Sequence, residues 1–463
     1  MRSILISILL IVSNFLGAQT TKITGTAPGA EGRRIELVGY TDLLTLMEKT
    51  LAQGTVDSAG AFTLTFSLDK TVYAFLNIEF HRGELFLEPG KSYHVTIAPM
   101  NYNEMQEINP YIESQSLGIQ IQGNDSLELN ALIQSFNKDY NAFVLEHFND
   151  LYRDKDKAKL DTFRVRMARK FPGKGNPYFS SYTWYKTGSL EQVANVMGKS
   201  PMVKKYFSDG PILYDNIEYM DLFREFFSKY ITTTSRLLKF LDYNGLMNKP
   251  NGYEALMKAL EADTLLRKPQ LRELVLMRDM MEMYYDPQYK PEAILSFFAA
   301  VQKDSKFPQN KQIAENIIRA LTRLSHGTPA PAFTLTDRYR KKVSLSDFRG
   351  KPVLVGFWTT YCQVCLSEME LLKPIVDKYH DRMAFISISA DKEFLKMLYF
   401  INLKKGFSWT FLHLGNETGL LKDYDVKSFP LFVLIDGQGK IVRYPADLPD
   451  SGLENSIEKL LNP

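Results

Sequence analysis

Cys362 and Cys365 are the only cysteines among the chain's 463 residues, and Gln363-Val364 alone separates them. A thiolate is both a nucleophile and a metal ligand, so the pair admits thiol–disulfide exchange, metal binding or haem attachment. Zinc wants four ligands. No second cysteine pair exists, and His380, fifteen residues after Cys365, has no His partner at ligand spacing. Covalent haem attachment needs His directly after the second cysteine, where Leu366 stands. A purely structural disulfide would leave the position of the pair, just behind Trp358, without a reason. Exchange is the chemistry expected of these residues, with no metal and no separate cofactor.

The elements around the pair are arranged to serve that chemistry. Val353-Leu354-Val355-Gly356-Phe357-Trp358 is an unbroken apolar run, which suits a central strand buried on both faces. Thr359-Thr360-Tyr361 then turns the chain, and Cys362 falls where a helix begins. That helix is expected to run on through Glu368, Leu371, Leu372, Ile375, Val376 and Tyr379. A helix N-terminus stabilises negative charge through its free N–H groups and its dipole, so Cys362 gains the lowered pKa of an attacking thiol. Cys365, almost one turn later, can attack a mixed disulfide and release the product. Downstream, residues 383–389 read as a second parallel strand, 392–405 as its crossover helix and 408–412 as a short strand. Residues 431–436 read as a further strand, Asp436-Gly437-Gln438-Gly439 as a hairpin turn into 441–444, and Leu453–Leu461 as a closing helix. Helix-connected parallel strands with a final hairpin give a mixed sheet covered on both faces.

The rest of the chain divides into further parts. Residues 1–18 have the pattern of a cleaved signal peptide: Arg2, an apolar run over 4–16, and small Ala18 before polar Gln19. The run is shorter than the roughly 20 residues that cross a bilayer; a retained inner-membrane anchor is the alternative. Export implies a periplasmic protein, where cysteines normally serve as separated staples; here none is left over for one. Residues 19–98 show period-two alternation between turn signals and read as a small antiparallel, β-sandwich-like domain. Residues 99–124 read as a polar linker. Residues 125–325 read as a helical region, opening on a capping box with Asp125 as N-cap and Glu128 three residues on. Apolar stripes follow over 219–241, 253–266, 271–284 and 313–324, with Pro269 and Pro308 among the prolines between them. The aromatics Phe223, Phe226, Phe227, Tyr230 and Phe240 fit a core better than a peptide-binding surface. A net charge of +3, with 24% charged residues of both signs interspersed, gives no reason to expect a nucleic-acid partner.

Residues 326–463 resemble the secreted TlpA/ResA-like branch of the thioredoxin superfamily. The resemblance rests on the lead-in Gly327-Thr328-Pro329-Ala330-Pro331 and on Phe357-Trp358-Thr359-Thr360-Tyr361-Cys362-Gln363-Val364-Cys365. Pro430 before a strand and the Asp436-to-Gly439 hairpin complete it. The N-terminal part resembles, in pattern only, the β-domain of unknown function in many secreted thioredoxin-like proteins of Bacteroidetes. The resemblance implies a multidomain protein whose C-terminal α/β domain is thioredoxin-like, preceded by a β-sandwich-like domain and an α-helical middle. It implies a redox-active Cys362/Cys365 disulfide and a cis Pro430 facing it, since only X–Pro bonds become cis at modest cost. Trp358, Tyr361, Phe429 and Pro430 would form the substrate-binding surface, and Glu368 would match an acid that assists proton movement. Disulfide-containing envelope proteins as substrates, a membrane thiol carrier as electron donor and action as a reductant follow from the same resemblance. Three positions depart from the pattern: Gly356 stands where ordinary thioredoxins keep a buried Asp, Val364 replaces a usual Pro, and Tyr361 a usual Trp. A redox-switched envelope adaptor and a thiol peroxidase are the alternative functions.

Overall fold

A computed structural model describes residues 17–79, 81–100, 115–123, 127–171, 176–249, 251–404 and 406–462. The apolar run expected to act as an export signal lies outside these residues. No helix among the described residues is long and apolar enough to cross a membrane.

The N-terminal part is a sandwich of two sheets. One has the order β4 (Ala61–Leu68), β1 (Gln19–Thr26), β7 (Ser92–Ile97), β9 (Ile119–Ile121). The other runs β3 (Glu48–Thr55), β2 (Arg34–Tyr40), β5 (Val72–Ile78), β6 (His81–Leu87), β8 (Gln115–Ser116). Alternation in β4 turns Phe62, Leu64, Phe66 and Leu68 inward, where they pack with Ile23, Leu37, Leu76 and Val95. Two features correct the sequence reading. The sheets are mixed, because β1 pairs parallel to β7 and β6 parallel to β8. The segment read as a linker also contributes β8 and β9, one to each sheet. Strands of two and three residues are too short to carry an alternation signal.

The middle part is helical. Its longer helices are Leu129–Glu146, Lys157–Lys170, Pro177–Val193, Ile217–Phe226, Pro269–Met283, Pro291–Asp304 and Pro308–Thr322. Pro177, Pro269, Pro291 and Pro308 each open a helix, where the missing N–H had no intrahelical partner anyway. The first helix is capped by Glu128, whose carboxylate accepts from the Ala131 N–H at 3.0 Å. Glu128 is therefore the cap and not the distal member of a capping box, and Asp125 lies outside the described residues. The 219–241 stripe is not one helix. It ends at Phe226, passes through left-handed Lys229 and resumes as a single π-helical turn at Tyr230–Thr234 and a 3₁₀ turn at Leu238–Phe240. Phe223, Phe227 and Tyr230 are core, while Phe240 is exposed.

In the C-terminal part a seven-stranded sheet has the order β11 (Lys342–Ser344), β10 (Thr334–Asp337), β14 (Thr410–His413), β13 (Ala384–Ser389), β12 (Val353–Trp358), β15 (Leu431–Ile435), β16 (Ile441–Arg443). As the apolar run requires, β12 is buried at every residue, parallel to β13 and antiparallel to β15. Separate apolar clusters cover its two faces. One holds Val355, Phe357 and Ile388, and the other holds Leu354 and Trp358 under the helices Gln363–Tyr379 and Leu453–Leu461. This is the thioredoxin-like domain expected of the sequence.

The three parts are joined unequally. Leu43, Leu44 and Phe86 of the sandwich enter the helical core, so those two parts share one apolar interior. That core ends at Leu321, and the C-terminal clusters begin at Leu324. Across this divide Lys422 pairs with Glu48 at 2.9 Å and Arg323 with Asp425 at 2.8 Å. A cleft of about 2590 Å³ opens between the three parts, lined by residues such as Tyr40, Arg82, Tyr285, Arg323, Lys422 and Tyr444.

Candidate functional site

The cysteine pair sits where β12 gives way to a helix. Cys362 is the N-cap of helix Gln363–Tyr379, with extended backbone, and its Sγ accepts from the Cys365 N–H at 3.1 Å. The two sulfurs are bonded, 2.09 Å apart. Cys362 is half-buried, whereas Cys365 is 0% exposed and lies in the apolar cluster under the helix. An incoming disulfide can therefore reach Cys362, and Cys365 can reach only what Cys362 has already captured. The Cys365 N–H, one of the orphan N–H groups of the helix's first turn, is thus directed at the Cys362 sulfur, where a thiolate would form.

Glu368 lies one turn beyond Cys365 on the buried side of the helix, 4% exposed. Burial raises its carboxyl pKa above the ordinary carboxylate range, partly offset by the hydrogen bond its Oε2 accepts from the Asp450 N–H at 3.2 Å. It is thus not a solvent-facing helix residue, and its environment favours holding a proton.

The other expected site residues separate into two groups. The Phe429–Pro430 peptide is cis. In the β12–β15 register Phe357 opposes Leu431, so Pro430 stands one residue further on, at the end of the sheet where Cys362 lies. Phe429 and Pro430 are half-buried, and Tyr361 is 44% exposed. Tyr361 directly precedes Cys362 in the chain, and Phe429 and Cys362 pack against the same apolar cluster. Trp358 does not present a surface to substrate: it is 2% exposed, with Phe400 at 5.1 Å and Phe411 at 6.0 Å between ring centres. It backs the turn from the core side. Gly356 also finds its explanation here. A Cβ at that position would lie 2.6 Å from a ring carbon of Phe432, so the space a buried Asp would need is already filled by an aromatic ring.

Sequence reasoning missed Asp391. It follows β13, is buried, and accepts hydrogen bonds from the Thr360 N–H and hydroxyl in the turn before Cys362. The available signal was its place just past the C-terminal end of a parallel strand, where sites of α/β sheets gather.

A half-accessible sulfur at a helix N-terminus, a buried second sulfur bonded to it and a neighbouring carboxyl can carry out reversible thiol–disulfide exchange. Comparison with known proteins agrees. Residues 326–444 match the AhpC/TSA family. The thioredoxin-like protein YneN of Bacillus subtilis is 32% identical over 121 residues, which cover 26% of this chain and 69% of that protein. The thiol–disulfide oxidoreductase ResA of Bacillus cereus is 33% identical over 121 residues, 25% of this chain and 67% of ResA. Among solved structures, the thioredoxin domain of a thiol–disulfide oxidoreductase from Bacteroides vulgatus is 32% identical and covers 30% of this chain and 99% of that one, with a TM-score of 0.28.

Proposed function

Given that the chain belongs to the TlpA/ResA-like thiol–disulfide oxidoreductases of the thioredoxin superfamily, we propose that it reduces disulfides in proteins of the cell envelope. The observation that carries the reading is the unequal exposure of the pair: Cys362 half-buried at a helix N-terminus, Cys365 wholly buried behind it.

The Cys362 thiolate attacks one sulfur of the substrate disulfide, forming a mixed disulfide and expelling the first substrate thiolate, which takes up a proton. Cys365 then loses its proton, with Glu368 as the acceptor, and attacks the Cys362 sulfur. This expels the second substrate thiolate and closes the Cys362–Cys365 disulfide. Glu368 passes that proton to the second substrate thiolate, so the substrate has gained two electrons and two protons: the protein has given up two electrons and the Cys365 proton, and solvent has supplied the proton taken up by the first substrate thiolate. Each further turnover requires a membrane dithiol carrier to return the pair to the reduced form. Pro430 and Phe429, at the open end of β15, offer backbone to an extended substrate segment, and Tyr361 flanks it. The apolar run over residues 4–16 behind Arg2 supports export to the periplasm. An oxidising compartment makes the electron donor a requirement, because an exposed pair left alone there becomes oxidised.

Equilibration with glutathione redox buffers tests the direction. A potential below about −200 mV is expected of a reductant, whereas a value near −120 mV would mark an oxidant and overturn the proposal.

A further inference from the structure

Asp391 is 1% exposed. Burying a carboxylate is costly unless its oxygens are hydrogen-bonded, and here the bonds run in two directions. One is local: the Ser389 hydroxyl donates to Oδ2 at 2.6 Å, and the Asp391 N–H donates to the Ser389 hydroxyl oxygen at 3.2 Å. The other crosses to the neighbouring strand's exit. The Thr360 N–H approaches the two carboxylate oxygens at 3.0 and 3.2 Å, and the Thr360 hydroxyl donates to Oδ1 at 2.7 Å. The backbone carbonyl of Asp391 meets Nε2 of buried His413 at 2.7 Å, which ties the segment to β14 as well. Thr360 is two residues before Cys362, inside the turn closed by the Cys362 N–H donating to the Thr359 carbonyl at 3.3 Å.

The carboxylate therefore holds the middle of the turn that aims Cys362. While the disulfide is closed, the covalent ring itself keeps the Cys362 sulfur against the Cys365 N–H. Once it opens, that restraint is gone, and the sulfur stays at the N-cap only if the backbone before it is fixed. We propose that Asp391 is a positioning residue for the exchange reaction. Through Thr360 it fixes the 359–362 turn, so that in the reduced protein the Cys362 thiolate remains at the helix N-terminus with the Cys365 N–H as donor. The inference rests on reading Cys362 as the attacking thiol. The contribution is geometric and opposes the direct effect of the charge: a buried anion near a thiol disfavours the thiolate, whereas the turn it holds favours it.

That opposition makes the two effects separable. The test is the pH dependence of Cys362 alkylation in the reduced full-length protein, for wild type, Asp391→Asn, Thr360→Val and Tyr424→Phe. Thr360→Val keeps the carboxylate and the backbone N–H bond and removes only the hydroxyl bond. Tyr424→Phe removes a hydrogen bond to the Pro331 carbonyl on the other face of the sheet and serves as the matched loss of stability. Weakening a charge-assisted hydrogen bond to the thiolate raises its pKa by roughly one unit. Asp391→Asn and Thr360→Val should both move the alkylation midpoint upward, Thr360→Val by less, while Tyr424→Phe lowers the melting temperature without moving it. A downward shift in Asp391→Asn with none in Thr360→Val would show that the charge alone acts, and would overturn the proposal. Lowered melting temperatures with all midpoints unmoved would overturn it equally, leaving a structural bond. If wild-type Cys362 is itself no more reactive than an ordinary thiol, the reading of the nucleophile has failed instead.

Discussion

Replacing Glu368 with Gln removes a carboxyl that burial has driven upward in pKa, and its consequence can be worked through from the site. Cys365 is 0% exposed, so bulk water has no direct path to its proton while a mixed disulfide occupies Cys362. An ordinary thiol with a pKa near 8.5 is only about 3% ionised at pH 7, so forming the thiolate on demand is worth about thirtyfold. Burial of Cys365 enlarges that figure, and general-base catalysis contributes about 10²–10⁴-fold in well-placed cases. Glu368→Gln should therefore slow resolution of a mixed disulfide by about thirtyfold to a hundredfold. Gln can still accept from the Asp450 N–H, so the fold around it is preserved. The sign of the pH dependence follows from the same shift. As pH falls through the raised pKa the carboxylate takes up a proton and can no longer accept one, so the wild-type rate falls on the acid side. The Gln variant should lose that limb. The stability effect has its own sign: a carboxyl with a raised folded-state pKa contributes stability below its unfolded pKa that is lost as pH rises through the folded one. Glu368→Gln should accordingly be as stable as wild type or more so above neutrality. Stopped-flow resolution of a preformed mixed disulfide, measured against pH, reads the rate and the limb together. An unchanged rate with an unchanged profile would refute the proton-transfer role.

Other expectations follow from burial and packing. In the reduced protein, brief alkylation should label Cys362 well ahead of Cys365, as peptide mapping would show; equal labelling would contradict the assigned roles. A fragment spanning 326–463 should fold cooperatively and retain exchange activity, because no apolar cluster among the described residues crosses from Leu321 to Leu324. The partly exposed Glu48–Lys422 and Arg323–Asp425 pairs it loses are worth only about 0–1 kcal/mol each, and Leu324 is the one residue of the C-terminal apolar clusters it leaves behind; a fragment with no thermal transition would disprove this. Asp279, buried in the helical region and bonded to the Ile231 N–H at 2.7 Å, has its pKa raised by burial to about 7. Its contribution to stability is present below the unfolded value near pH 4 and is lost as pH rises to about 7. Denaturant titrations should show a fall on the order of 2–4 kcal/mol across that window, flattened in Asp279→Asn; an unchanged slope in the variant would exclude Asp279 as its source.

What the sequence disclosed depended on how long and how local each signal was. The run from Val353 to Trp358 announced a central strand because six consecutive buried residues leave no polar face. Cys362 at the helix start followed from the turn behind it, and Leu453–Leu461 was legible from its apolar spacing. The sandwich's short strands β8 and β9 were not legible, since two or three residues cannot establish a period. The broken stripe after Phe226 misled because Lys229 adopts a left-handed conformation that an apolar pattern does not encode. At the site, Glu368 could be placed but not its burial, which depends on the turn at Asp450 closing over it. Trp358 carried a spacing that fits a site wall, yet its ring is claimed by Phe400 and Phe411, residues contributed by other elements. Asp391 was invisible for the same reason: its partner Thr360 is 31 positions away, and only the pairing of β12 with β13 brings them together.

The claim that Cys362 attacks disulfides of envelope proteins is tested most directly by capture. In Cys365→Ser the resolving thiol is gone and Cys362 is the single remaining cysteine, so any mixed disulfide formed in the native host must pass through it. Conjugates that collapse on adding dithiothreitol, and whose partners are exported proteins joined through a cysteine that forms a disulfide in their mature state, are the expected result. Conjugates absent in Cys365→Ser, or present only with proteins that are never exported, would contradict the account.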